Sequence, residues 1–203
     1  MKAHKTTLVL ATMAPLLFTG CATTQKATYV DPNGPRTVAT VGQINIQDWD
    51  NAANTMINSL IENVISTGRV KGTAEAPAIM AISRIVNSTG QHIDTDLLVK
   101  KIRIALNKTG RVQTTTTMGL GGQAEDPLAK GLKQEKEFFD DKKVTRTPDY
   151  TLSGKIIEDR VRQDNVRQSS YVFQLSLTDN TGVAVWEDEK TITKQGKRVG
   201  TSF

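Results

Sequence analysis

The sequence predicts an α+β domain, an antiparallel-rich sheet with helices packed on it, and two observations carry that prediction. In the first half of the chain, two amphipathic stripes at helical spacing flank a nearly unbroken apolar run. The last third reads as three strands in succession joined by polar segments. Helices mixed with strands early, followed by a meander, give one sheet with its apolar face covered by helices.

The first stripe is Trp49, Ala53, Met56, Ile57, Leu60, Ile61 and Val64, with Asp48 as candidate cap and Gly68 just beyond the end. Residues 78–86, Ala-Ile-Met-Ala-Ile-Ser-Arg-Ile-Val, suit a strand inside a sheet, ended by the turn Asn87-Ser88-Thr89-Gly90. Asp94-Thr95-Asp96 then supplies a cap and early negative charge to a second helix carrying Leu97, Leu98, Ile102, Ala105 and Leu106, which stops at Lys108-Thr109-Gly110. The threonine-rich residues 111–117 predict a strand and the glycine-rich residues 118–124 a loop. Asp126-Pro127 has the cap-and-first-turn form that opens a third helix, to about Phe139. The three final strands are expected at 150–161, 171–177 and 183–193, with Asn180-Thr181-Gly182 as a tight connection between the last two.

The N-terminus has the three parts of a secretory signal: Lys2 and Lys5, an apolar run over 6–18, and a small-residue cleavage site. The run is too short to span a bilayer as a helix. Phe18-Thr19-Gly20-Cys21, holding the only cysteine of the chain, resembles a bacterial lipobox. The resemblance implies removal of residues 1–20 and acylation of Cys21. Several acyl chains, each methylene worth about 0.8 kcal/mol when buried, would hold the protein on a membrane. Ala22 stands where an inner-membrane retention residue such as aspartate would be expected, which favours the outer membrane. Residues 21–36, rich in Thr, Ala, Gln, Lys and Pro and containing Asp31-Pro32-Asn33-Gly34-Pro35, read as a flexible tether. Fully stretched, these residues span at most about 50 Å. The folded domain is then 37–203.

Loss of Lys2 and Lys5 leaves 24 basic against 21 acidic residues, and charges of both signs alternate along most of the chain. That is the pattern of a mixed, solvated surface and not of a nucleic-acid interface. His4 and His92 are the only histidines, and no serine sits in a G-x-S-x-G elbow, so a histidine-based triad and a zinc site both lack members. Gly119-Leu120-Gly121-Gly122 lacks the lysine of a phosphate loop. The acidic groups Asp140-Asp141 and Glu187-Asp188-Glu189 adjoin Lys142-Lys143 and Lys190, the composition of solvated charge pairs. Neither enzyme chemistry nor a cofactor is expected, and binding is the remaining class of function.

Several landmarks occur in the order of one family. They are the lipobox cysteine, Asp48-Trp49 at a helix opening, the strand turning at Val86-Asn87-Ser88-Thr89, the helix over 94–106 closing at Gly110-Arg111-Val112, Asp149-Tyr150-Thr151-Leu152-Ser153-Gly154, and Thr181-Gly182-Val183-Ala184-Val185-Trp186. In that order they resemble the LpoB family of penicillin-binding-protein activators. The resemblance implies a domain like the N-terminal domain of TolB, carried on an outer-membrane lipoprotein and facing the periplasm. It also implies docking onto a class A penicillin-binding protein, whose peptidoglycan synthesis the lipoprotein stimulates allosterically.

Ser153 and Lys155, at outward positions of the strand that opens at Tyr150, together with nearby Arg160 and Arg162, are the expected docking face. The bland alternative is that these residues are the wet side of an antiparallel sheet. Trp49 and Trp186 are expected as core anchors. A second function of a different class is a structural subunit of an outer-membrane secretion assembly, because curli-channel lipoproteins share a related core. Membrane-crossing strands of about nine to eleven residues would be needed for a channel, and the polar, short 112–117 run does not supply one.

Overall fold

The computed structural model describes residues 27–115 and 148–197, and the first regular element among these starts at Ile46. The lipobox with Cys21, the glycine-rich loop, the third helix expected from Asp126, and the Asp140-Asp141 pair lie outside the described residues. Helix α1, Ile46–Leu60, starts three residues earlier than its apolar stripe because Asn45, not Asp48, holds the N-cap position. Asp48 sits at the third helical position, where its carboxylate accepts the Asn45 backbone N–H at 2.7 Å, the reciprocal arm of a capping box. The helix widens into a π turn, Ile61–Ile65, and ends before Gly68, whose φ of 75° is the left-handed conformation that closes helices. Val64 and Ile65 are both buried in that last turn.

Strand β1 is Ala78–Ser88, helix α2 is Asp96–Lys108 and strand β2 is Val112–Thr114. Thr95 is the N-cap of α2, and Gly110, with φ 69°, lies just past its end. Strands β3, Tyr150–Gln163, β4, Val166–Asp179, and β5, Ala184–Lys197, are each 14 residues long. Strand β4 starts five residues earlier than its apolar alternation. Its first residues pair with β3 and β5 where the neighbouring side chains are polar, Ser169 being buried between Arg160 and Lys194. A two-residue turn, Asp164-Asn165, joins β3 to β4, with Asp164 at φ 48°.

The five strands form one curled sheet in the order β2-β1-β3-β4-β5. Strand β1 runs parallel to both of its neighbours, whereas the long strands β3, β4 and β5 pair antiparallel. The sheet is therefore mixed overall and antiparallel over its longest members. Between Ile82 and Ile85 the β1–β3 register shifts, so that Ser83 and Arg84 together oppose Ser153.

Alternation decides which face is covered. Tyr150, Leu152 and Ile156 of β3, Tyr171, Phe173, Leu175 and Leu177 of β4, and Trp186 of β5 point to the helix side and are buried there. They meet Trp49, Met56 and Leu60 of α1 and Leu98, Ile102 and Leu106 of α2 in one cluster. Both tryptophans are core anchors, and Trp49 meets Phe173 edge-on at 5.6 Å between ring centroids. Burying each large side chain contributes about 1.5–3 kcal/mol, and this cluster is what holds the helices on the sheet.

Candidate functional site

The expected docking residues fall on two faces. In β3 the odd-numbered residues turn away from the helices and the even-numbered ones toward them, without a break in the β3–β4 register from Tyr150 to Gln163. Ser153 and Lys155 therefore share the outer face. Arg160 and Arg162 stand on the helix-side face, past the end of the helices, where both are exposed. The structure keeps each pair together and separates one pair from the other.

On the outer face, Ser153 and Lys155 line an open groove with Ser83, Arg84, Val86 and Gln174. The groove lies at the bulge in β1, where Ser83 and Arg84 together oppose Ser153. The Ser83 hydroxyl turns back to donate to the Leu152 carbonyl at 3.1 Å. Gly154 between the two candidates is required by packing: a Cβ at that position would stand 2.7 Å from Leu175 Cδ2 and 2.9 Å from the Gln174 carbonyl oxygen.

On the helix side a polar network ties the far end of the sheet to the chain entering α1. Glu158 is its hub, with a side chain only 4% exposed. One carboxylate oxygen accepts from Arg160 Nε at 2.6 Å and Gln91 Nε2 at 3.3 Å. The other accepts from Arg160 Nη2 and the Gly90 backbone N–H, both at 3.0 Å. Burial by itself would raise the Glu158 pKa, but the Arg160 guanidinium and the Gly90 N–H outweigh it and hold the carboxyl below its ordinary value. Gln91 also donates to the Tyr171 hydroxyl at 3.0 Å and accepts from the Ile44 N–H at 3.1 Å. Burial pushes the Tyr171 phenol above its usual range.

Lys194 of β5 completes the network. Its ammonium donates to the Asp48 carboxylate at 2.5 Å, to Asn45 Oδ1 at 2.8 Å and to the Gln43 carbonyl, and lies 5.4 Å from the centre of the Tyr171 ring. The segment that leads into α1 is thereby strapped across the end of the sheet.

None of Gln91, Tyr171, Asp48 and Lys194 was expected as a site residue, nor was Arg167, which faces Arg162 across the hairpin. The signal for Arg167 was present: Asp164-Asn165 is a two-residue turn that fixes the register on either side. His92 is exposed, in keeping with an ordinary surface histidine. Among the described residues, no group of three or more His, Cys, Asp or Glu side chains is placed to hold a metal ion, and no helix is long and apolar enough to cross a membrane.

A curled mixed sheet with helices on one face, whose three long strands β3, β4 and β5 run on past the helices, defines an α+β domain. The chain belongs to the LpoB family: a family model described as the peptidoglycan-synthase activator LpoB matches residues 48–192, from the first turn of α1 into β5. No curated protein matches the sequence. Among solved structures, the chain is similar to the LpoB C-terminal domain from Salmonella enterica, at 16% identity over 71% of this chain and 98% of that one, with a TM-score of 0.42. The corresponding domain from Escherichia coli gives 17% identity, the same coverage of 71% and 98%, and a TM-score of 0.41. Lipoprotein GNA1162 from Neisseria meningitidis gives 13% identity over 62% of this chain and 88% of that one, with a TM-score of 0.37.

Proposed function

We propose that this chain is a lipoprotein anchored to the outer membrane through acylated Cys21, with its domain in the periplasm, that docks onto a class A penicillin-binding protein and stimulates peptidoglycan polymerisation and crosslinking. The observation that carries this reading is the LpoB family match over residues 48–192. The mechanism is a shift of population. The lipoprotein binds the active conformation of the synthase more tightly than the resting one, and a few kcal/mol of differential binding suffices. The lipoprotein contributes no bond-making chemistry of its own. Because residues 21–36 span at most about 50 Å, the docking surface of an inner-membrane synthase must project to within that distance of the domain's anchor point. Docking uses the exposed strand residues, Arg160 and Arg162 on the helix-side face or Ser153 and Lys155 on the outer face.

The test is polymerisation of a lipid-linked disaccharide precursor by the purified class A synthase of the same bacterium, with and without the full chain. A several-fold rise in rate that saturates with the lipoprotein is the expected result. An unchanged rate at saturating lipoprotein, with secretion components and no synthase recovered from solubilised envelopes, would overturn the reading.

A further inference from the structure

The β3–β4 hairpin sets two arginines against each other. Arg162 and Arg167 are directly opposite in the antiparallel register, so their side chains leave the same face about 5 Å apart at Cβ. Both are exposed. Arg160 shares that face, but its guanidinium is already held by Glu158. Glu158 has nothing left to offer, since both of its oxygens are taken up by Arg160, Gly90 and Gln91. The other acids of the hairpin are elsewhere: Asp159 is on the outer face by alternation, Asp164 is in the turn and Asp179 is at the opposite end, across from Tyr150. Among the described residues neither Arg162 nor Arg167 has an ion pair or a side-chain hydrogen bond. Like charges directly opposite one another weaken a hairpin, so this pair stands against the stability of the arm that carries it.

We infer that Arg162 and Arg167 form a two-armed receptor for carboxylates of an acidic segment on a protein partner, which, resting on the reading above, belongs to the synthase. Two guanidinium forks side by side match two carboxylates, each taken through a pair of parallel N–H donors. Arrival of the acids removes the repulsion between the arginines, so the partner gains attraction and the hairpin loses strain together. An anionic lipid surface fits less well. The turn that would enter it, Gln163-Asp164-Asn165, carries an acid and no apolar side chain, and the half-exposed Val161 behind it shares the outer face with Asp159.

Arg162→Glu separates binding from folding, because it turns a repulsive cross-strand pair into an attractive one. The full chain and its Arg162→Glu and Arg162→Glu/Arg167→Glu variants are titrated against the purified synthase, a glutamate-rich peptide, and phosphatidylglycerol vesicles. The expected result is a melting temperature for Arg162→Glu equal to or above the parent's, with at least a tenfold loss of affinity for synthase and peptide in both variants. Parent-like affinity of the variants for a synthase that binds the parent would overturn the receptor and leave the activator reading standing. If the parent binds no synthase, the activator reading falls, and the receptor stands or falls on whether the peptide affinity depends on the two arginines. Arginine-dependent binding to vesicles with none to peptide would overturn it in favour of lipid.

Discussion

The Lys194 ammonium stands 2.5 Å from the Asp48 carboxylate, joining the last strand to the first turn of the first helix across 146 residues of sequence. Both side chains are largely enclosed, 15% and 10% exposed. The pair has a double function. Asp48 turns its carboxylate to the Asn45 N–H and favours the positive end of the α1 dipole. Lys194 gathers Asp48, Asn45 and the Gln43 carbonyl onto one ammonium. The N-terminal strap is thus tied to the distal half of the sheet through three acceptors gathered on one ammonium.

Lys194→Met is expected to destabilise the full chain by about 2 kcal/mol, below the 3–5 kcal/mol typical of a fully buried pair because some water reaches this one. Asp48→Asn is expected to cost about 1 kcal/mol, since an amide oxygen still accepts from the Asn45 N–H. Urea unfolding of both single variants and the double variant closes a cycle, and a coupling energy near zero would show that the contact does not hold the strap.

Glu158 predicts an acid-sensitive arm. Its carboxyl titrates below the ordinary value in the folded state, so the stability it contributes is complete above the unfolded value of 4.5 and is lost as pH falls through the lower folded value. Glu158→Gln should therefore lower stability by about 1 kcal/mol at pH 7, a modest figure because the Arg160 partner is exposed. The difference from the parent should shrink toward zero as pH falls from above 4.5 through the lowered folded value. Thermal melts of the two proteins across that range measure it, and a constant difference would rule out the charged pair as the cause.

The fold was legible wherever side chains answer to a core. The stripe from Trp49 to Val64, the run over 78–86 and the alternation from Tyr171 to Leu177 each mark a face that is buried in the structure. Element ends set by polar contacts were less legible. Asp48 reads as a cap and is instead the third helical residue, because Asn45 three positions earlier has the same chemistry. The distal halves of β3 and β4 are covered by a polar strap and not by the helices, so no apolar period announces them and Arg167 read as part of a polar connection. The candidate site was legible only as residue types on one strand. Ser153 and Lys155 are an odd number of residues from Arg160 and Arg162, a parity that places the pairs on opposite faces once the strand is known to be unbroken. The Glu158, Gln91 and Tyr171 network joins three separate elements, and no spacing in a single segment encodes it.

Gly72 is expected to tolerate no side chain. A Cβ there would stand 2.0 Å from the Arg111 carbonyl oxygen and 2.7 Å from the Ala78 nitrogen, on the hydrogen bond that sets β1 beside β2. Gly72→Ala should lower stability by about 2–3 kcal/mol by forcing that backbone apart. Gly42→Ala is the control: nothing lies within 4 Å of its Cβ, and restricting the unfolded chain should leave stability unchanged or raise it by up to about 1 kcal/mol. Equal melting temperatures for the two variants would refute the steric account.

The two faces of β3 make opposite predictions for binding. Lys155 lies in the outer groove between Val86 and Gln174, where Arg84 also lines the groove and Gln174 donates to Glu189 of the next strand at 3.2 Å. Arg162 has no ion pair among the described residues and faces a like charge. A partner acid therefore gains more at Arg162, where it relieves the repulsion of a directly opposite arginine, than at Lys155, whose cross-strand neighbours Val86 and Gln174 are uncharged. Lys155→Glu should change affinity for the synthase by less than about twofold, roughly 0.4 kcal/mol. Arg162→Glu should reduce it at least tenfold, and the parent's affinity should fall steeply with added salt. Calorimetric titration of the parent and both variants ranks the faces. A larger loss for Lys155→Glu than for Arg162→Glu would move the docking surface to the outer groove, where Ser83 and Ser153 would then be the polar contacts to vary next.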